Sequence, residues 1–368
     1  MSIELAVNGT PYTGFIAVTA TRALSSLANS FSVTVSSSKE YPPLLEGDMV
    51  EALVDGVLVC TGWIEDVNGN ETEGNHTVTY TGRDLTGDLL DSDLDQLADI
   101  RASETLTLKK LIELVLEHLG LTIPVIDAYQ PDPFNEAEDI ITPEVGQNAF
   151  DFILQYARKR QALLTSTGKG EILITQSSPE DSDAVVQSLV GSDTNNILSQ
   201  NWNRKSSAKF RKYIRRGQAD PRALNFTGGS DSKTVEDQSG ITEDSNIRAG
   251  RQQVVVESGG YSSEQLADRS KWAKQQAEAQ AVKYACVVQG HRDTTGEVWD
   301  VNFLAQVNST AADISRKMLV DSVTFSEGEG QPTTSSLQFV ERDVYTIDEQ
   351  VLAQKPAGSL NDAFTSLG

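Results

Sequence analysis

The densest chemical signal in this chain is basic. Arg204, Lys205, Lys209, Arg211, Lys212, Arg215 and Arg216 crowd one short stretch, beside Trp202, Phe210 and Tyr213. The whole chain carries a formal net charge of −23. A cation cluster in so acidic a chain needs counter-charges or a specific neighbour. It is either a strand face paired with Asp and Glu elsewhere, or a wall that meets an acidic partner or passing nucleic acid. Phosphate contact of that kind would be blind to sequence.

The remaining reactive side chains form no recognisable centre. Asp91-Ser92-Asp93-Leu94-Asp95 resembles the start of a calcium loop, but an EF-hand needs Gly at its sixth position and Glu at its twelfth. Gln96 and Ala102 stand there instead, so a solvated linker is expected. His76, His118 and His291 show no metal-ligand spacing. His118 falls in the last turn of a predicted helix, where a cation suits the dipole; His76 and His291 fall at strand edges. Carboxylates abound, yet nothing singles out an acid–base pair. Gly168-Lys169-Gly170 precedes a strand and lacks the glycine spacing of a phosphate loop, so it reads as a hairpin tip. Nucleophile elbows and dinucleotide fingerprints are missing. No catalytic, cofactor-binding or metal-ligating residue is expected, which favours a structural or binding protein. Cys60 and Cys286 are the two cysteines, both in apolar contexts, and are expected to be free buried thiols.

The elements that would position these groups are mostly strands. A length of 368 residues suits two to four domains. No apolar run reaches the ~18–20 residues of a membrane span. Met1-Ser2-Ile3-Glu4 lacks a signal core, so synthesis and folding in a cytoplasm are expected. Phe31, Val33 and Val35 alternate on one strand face, and Asp55-Gly56 between two apolar runs is a hairpin signal. Leu108, Leu111, Ile112, Val115, Leu116 and Leu119 predict a helix with Thr107 as N-cap and Gly120 at its end. A second helix opens at Asn148 and runs to Arg158-Lys159-Arg160, before a hairpin around Gly168. Residues 218–250 are rich in Gly, Ser and Asp and read as a long insertion or a mobile loop. A helix over 263–285 shows only a thin apolar stripe through Leu266, Trp272, Ala277 and Tyr284, fit to pack on another part of an assembly.

Two segments read as one module repeated. Gly47–Val54, Val57–Val67 and His76–Tyr80 close on Arg83-Asp84; Glu297–Val307, Met318–Phe325 and Ser336–Phe339 close on Arg342-Asp343. The fold class expected is α+β, mainly β: two similar small β-barrel modules plus an α+β domain and a long helix. The division is 1–86 first barrel, 87–192 α+β domain, 193–345 second barrel with the insertion and helix, and 346–368 a C-terminal tail. Duplicated barrels suit a ring builder.

With the modules in order, the chain resembles the baseplate hub proteins of contractile-tailed, Mu-like bacteriophages, related to the late-control D tail proteins. Val7-Asn8-Gly9, Tyr12-Thr13-Gly14, Val59-Cys60-Thr61-Gly62-Trp63-Ile64 and Thr79–Thr86 carry the likeness to the first barrel. Phe150–Arg160, Leu163–Thr165 and Gly170–Leu173 carry it for the second domain. Asp244–Arg251, Val254–Glu257, Arg269, Trp272, Gly290-His291-Arg292, Gly296–Trp299 and Leu319–Phe325 complete it. The resemblance implies a structural, non-enzymatic homotrimer with pseudo-sixfold symmetry. It would adapt a sixfold tail tube, or its terminator proteins, to a threefold spike. Tape-measure protein and DNA would pass through it, DNA only in transit. The protein would sit in a virion tail baseplate, without a membrane anchor, after assembly in the host bacterial cytoplasm. The seven cations would then face an interface or the channel wall. A tail-tip cell-wall hydrolase is the rival of another class. The hub of a contractile secretion machine is a third reading, weakened because the chain ends without a spike repeat, which favours a phage or prophage.

Overall fold

The computed structural model describes residues 2–36, 44–73, 75–95, 100–101, 106–131, 133–134, 140–160, 162–177, 180–217, 239–257 and 263–345. Two compact units divide the chain: Met1–Trp202 with Tyr284–Arg342, and Asn203–Lys283 with Asp343–Gly368.

The first unit opens with β1 (Ile3–Val7), β2 (Thr10–Tyr12), β3 (Phe15–Ala23), β4 (Ser30–Ser36), β5 (Met49–Val54), β6 (Val57–Thr72) and β7 (Asn75–Asp84). Alternation sets their faces: Phe31, Val33 and Val35 of β4 are buried, as their spacing predicts. Asp55 and Gly56 both take positive φ and turn β5 tightly into β6. The strands lie in the order β3-β4-β7-β6-β5-β1-β2.

A short α+β stretch follows. It contains α1 (Gly87–Leu90), β8 (Asp93–Leu94), β9 (Ile100–Arg101), α2 (Leu108–Leu119), β10 (Val125–Asp127), β11 (Ile140–Ile141), β12 (Gln147–Asn148), α3 (Ala149–Lys159), β13 (Leu163–Ser166) and β14 (Ile172–Thr175). Thr107 caps α2 by accepting from Lys110 N, and Gly120 ends it in a left-handed conformation, both as expected. Leu111, Ile112, Val115 and Leu116 of α2 share one core with Phe152 and Ile153 of α3 and Ile172 and Ile174 of β14. The acidic run is not a mere linker: Asp91 pairs with Arg83, and Asp93 joins a bridge between β8 and β12. The β13–β14 hairpin seats its tip on β6. A Cβ on Gly168 would stand 1.9 Å from Leu58 O, so only glycine permits the approach.

The last strands of this unit are β15 (Glu180–Ser188), β16 (Ile197–Arg204), β20 (Val282–Gln289), β21 (Phe303–Ser309), β22 (Ile314–Gly328) and β23 (Gln331–Val340). Their order is β16-β20-β23-β22, with β21 on β22 and β15 on β21. This repeats the first set strand for strand: β3, β4, β7, β6, β5, β1 against β16, β20, β23, β22, β21, β15. The register agrees in detail. A bulge between Ile64 and Asp66 in β6 has its counterpart between Val320 and Ser322 in β22. With those bulges superposed, Met49 opposite Trp63 matches Leu304 opposite Leu319. One pairing differs: β1 runs antiparallel to β5, whereas β15 runs parallel to β21.

One expectation needs correction. The Arg-Asp stops are not equivalent. Arg83 lies opposite Trp63 inside β7, so its counterpart is Val340, opposite Leu319; Arg342 follows β23 in a 3-10 turn. Nor does any pairing among the described residues close either six-strand set into a barrel; the architecture is mainly β. The sets are instead joined where β3, an edge strand of the first, pairs with the part of β22 that runs past β21.

The second unit contains β17 (Lys212–Gly217), β18 (Ser239–Glu243), β19 (Gln252–Glu257) and α4 (Ser263–Ala279). The sheet order is β18-β17-β19. Part of the expected insertion is therefore strand, since β18 begins at Ser239; residues 218–238 lie outside the described residues, as does the tail 346–368. α4 covers one face of the sheet, where Gly240 allows it to come close: a Cβ there would fall 2.0 Å from the Leu266 carbonyl carbon. Thr242 and Ser270 bond across the same contact at 2.6 Å.

Candidate subunit interface

The seven cations do not share one surface. Strand alternation in β17 sends Arg215 inward with Tyr213, beneath α4, and leaves Lys212 and Arg216 exposed on the other face. Arg215 donates to Gln253 Oε1 at 3.3 Å. Arg211 is structural too, donating to the carbonyls of Ser245 at 2.7 Å and Ile247 at 3.3 Å. Lys212 pairs with Glu243 at 3.1 Å. Arg204 and Lys205 are exposed at the end of β16, and Lys209 is half-buried in the turn that follows. Arg251, outside the expected set, lies over the Phe210 ring and donates to Ser207 O. Part of the cluster is thus satisfied internally, and part faces outward.

The stripe through the helix divides as well. Leu266 is buried against the sheet, while Trp272 and Ala277 are half-buried. The Trp272 indole nitrogen is buried without a hydrogen-bond partner. Tyr284 is not on the helix: α4 stops at Ala279, and Tyr284 belongs to β20 in the first unit, donating to Gln200 Oε1 at 2.9 Å. Burial there pushes the phenol up.

Buried titratable groups in the first unit serve the fold. The Asp84 carboxylate accepts from Asn29 N at 2.9 Å, Thr86 N at 3.0 Å and Thr86 Oγ1 at 2.6 Å, and from the Ser166 hydroxyl. It ties the ends of β4 and β7 to the β13 strand. Burial raises its carboxyl, against the pull of those donors. His291 is fully buried rather than at a strand edge, with Nδ1 3.2 Å from Ser335 Oγ and its ring edge-on to Phe325. Burial pushes it down. Cys60 and Cys286 are free and buried, as expected; burial raises both thiols, Cys286 to about 12. A thiol so raised is a poor nucleophile at neutral pH. Arg83 bridges Glu65 and Asp91, and Arg292 Nε reaches Asp55 Oδ2 at 2.9 Å, joining the loop after β20 to the β5–β6 turn.

Three surfaces escape residue-by-residue reading. Along Asp66–Glu71, β6 has β7 on one side and no strand on the other among the described residues. Among the described residues, strand β16 has β20 as its one partner in the sheet order, with Leu198 and Trp202 exposed. The face of the small sheet opposite α4 exposes Ile241, Val254 and Val256. The β-branched run Val254-Val255-Val256 was the available signal for the third; the two edges required the strand order.

Comparison with known proteins now places the chain. Residues 2–84 match the family described as Mu phage baseplate assembly protein GpP-like, N-terminal. Beyond that first domain, the chain is similar along most of its length to baseplate hub and tail proteins of Mu-like phages. The particular relative is baseplate hub protein gp44 of Escherichia phage Mu, 22% identical over 347 residues, covering 91% of this chain and 87% of that protein. Two solved structures share the fold. The 43 kDa tail protein of prophage MuSo2 from Shewanella oneidensis has a TM-score of 0.77 at 22% identity, covering 95% of this chain and all of that one. The tail protein of Neisseria meningitidis MC58 has a TM-score of 0.72 at 16% identity, covering 94% and 98%. A weaker likeness, at a TM-score of 0.53 and 10% identity, reaches an Escherichia coli component of the type VI secretion system, covering 97% and 79%. The relatives are named as baseplate and tail proteins, not as enzymes.

Proposed function

We propose that the chain is the structural hub of a contractile-tail baseplate. Three copies form a ring of six similar wall segments, adapting the sixfold tube to the threefold spike. The ring leaves a path for the tape-measure protein and for DNA in transit. The observation that carries this reading is the repeated strand order and its unequal edges. Within one chain, β3 of the first set lies along β22 of the second. Among the described residues, no strand covers the matching side of β6 along Asp66–Glu71, and none pairs with the outer side of β16, the counterpart of β3. A neighbouring copy's β16 laid along β6 would repeat the junction already made inside the chain. Such a contact is heterologous and, when its rotation closes, gives a ring. Uncovered edges favour strand addition. Charge agrees: Glu65, Asp66 and Glu71 line β6, and Arg204 and Lys205 end β16.

The test is Trp202→Asp. Trp202 is exposed, so the fold should survive while a carboxylate is set against the acids of β6. We expect an unchanged circular dichroism spectrum and single-chain particles in electron micrographs, where the parent forms rings. Rings that persist would refute the β16–β6 junction. The hydrolase reading is tested separately by a peptidoglycan gel, where no clearing is expected.

A further inference from the structure

In chain order, the second unit is an insertion between two strands of the second set. In the first strand set, β3 passes to β4 through residues 24–29. In the second set, the equivalent link from β16 to β20 holds all of β17, β18, β19 and α4. Those elements add nothing to the repeated sheet. Their charge is also opposite: residues 203–283 carry fifteen Lys and Arg against ten Asp and Glu, a balance of +5, so the remainder of the chain carries −28.

α4 covers one face of the small sheet, and among the described residues the other face exposes apolar side chains beside the Lys212–Glu243 pair. Ile214 lies beside Ile241 on one side and Val254 on the other, forming a row of three across the strands. Val256 lies next to Arg216, and Lys212 shares the same face. Ile241 is 54% exposed, Val254 48% and Val256 61%. Three β-branched side chains at that exposure in so small a sheet mark a protein contact. The patch contains no aromatic ring for bases to stack on, which disfavours a single-stranded nucleic acid.

We infer that this face, Lys212, Ile214, Arg216, Ile241, Val254 and Val256, docks on the acidic body of a second copy of this chain. The inference rests on the ring reading, which brings copies together. Charge complementarity selects the occupant: the basic module faces an acidic chain, and the copy alongside presents −28 outside its own module. The aliphatic row then contributes buried area, and Arg216, with the Lys212–Glu243 pair beside the row, sets orientation.

The test is photo-cross-linking of the full chain carrying Val254→Cys, labelled with benzophenone maleimide. Val256→Cys serves as a second position if the first disturbs the fold. Cys60 and Cys286 are buried, so the unsubstituted chain is the unlabelled control. We expect adducts of twice the chain mass, with cross-linked peptides from outside 203–283. Raising sodium chloride from about 0.05 to about 0.5 M, which shortens the screening length several-fold, should lower their yield at least about threefold. Lys212→Glu with Arg216→Glu should lower it similarly. Adducts confined to one chain, including any to the tail 346–368, would overturn the docking. So would an absence of adducts in a preparation that keeps its ring mass, and in both cases the ring reading would stand. A labelled chain that behaves as a single copy at every concentration would remove the ring reading and this inference with it.

Discussion

Asp84 is the residue on which the first unit most depends. Four donors converge on one buried carboxylate, of which the Thr86 hydroxyl also lies 3.4 Å from Leu27 O. Asp84→Asn turns an amide against those donors, at a cost of about 3 kcal/mol, to be read from the urea midpoint. Its pH dependence has a definite sign. Burial raises the folded carboxyl above its unfolded value, so the folded state holds more protons between the two. From this group, stability is highest below about pH 4, the ordinary carboxylate value, and declines as pH rises through the folded pKa. The parent should show that component in urea midpoints taken over this window, and Asp84→Asn should lack it. Arg83 is a contrast. Its partners Glu65 and Asp91 are largely in solvent, so Arg83→Ala should cost about 1 kcal/mol or less. At the thiols, a disulfide reagent should find no reactive group in the native chain near neutral pH and two in denaturant, because Cys60 and Cys286 are buried and raised.

At the scale of elements, the contact between α4 and its sheet is the most sensitive. Gly240→Ala places a Cβ into backbone atoms of α4, and should destabilise by about 2 kcal/mol, as overpacking does; the thermal transition would register it. What could be read from the sequence follows the same scale. α2 was legible because its apolar spacing and both caps agree on one element. The β5–β6 hairpin was legible because Asp55-Gly56 suits positive φ. The end of α4 was not: Ala277, Gln280 and Ala281 all favour helix, and the β-branched Val282 and Val287 that mark β20 come just after. β18 was missed because Ser239–Glu243 is short and flanked by Gly, Ser and Asp, where local signals favour a turn. The basic cluster was visible as a cluster, but its partition into buried and outward members depended on strand phase, which its run of Arg and Lys conceals.

For the whole molecule, the six-strand repeat was legible only in part. Three strands of each set were matched by spacing, whereas the remaining three are separated by unequal insertions and appear only when the pairing is known. The Arg-Asp pair was a coincidence of composition, two residues out of register. What the pairing adds is the asymmetry of edges, and from it the account of the ring. The measurement that bears on this most directly is the mass of the purified chain by multi-angle light scattering across a wide concentration range. The account predicts about three times the chain mass, falling to one in Trp202→Asp. A parent chain that remains a monomer or a dimer throughout would contradict it.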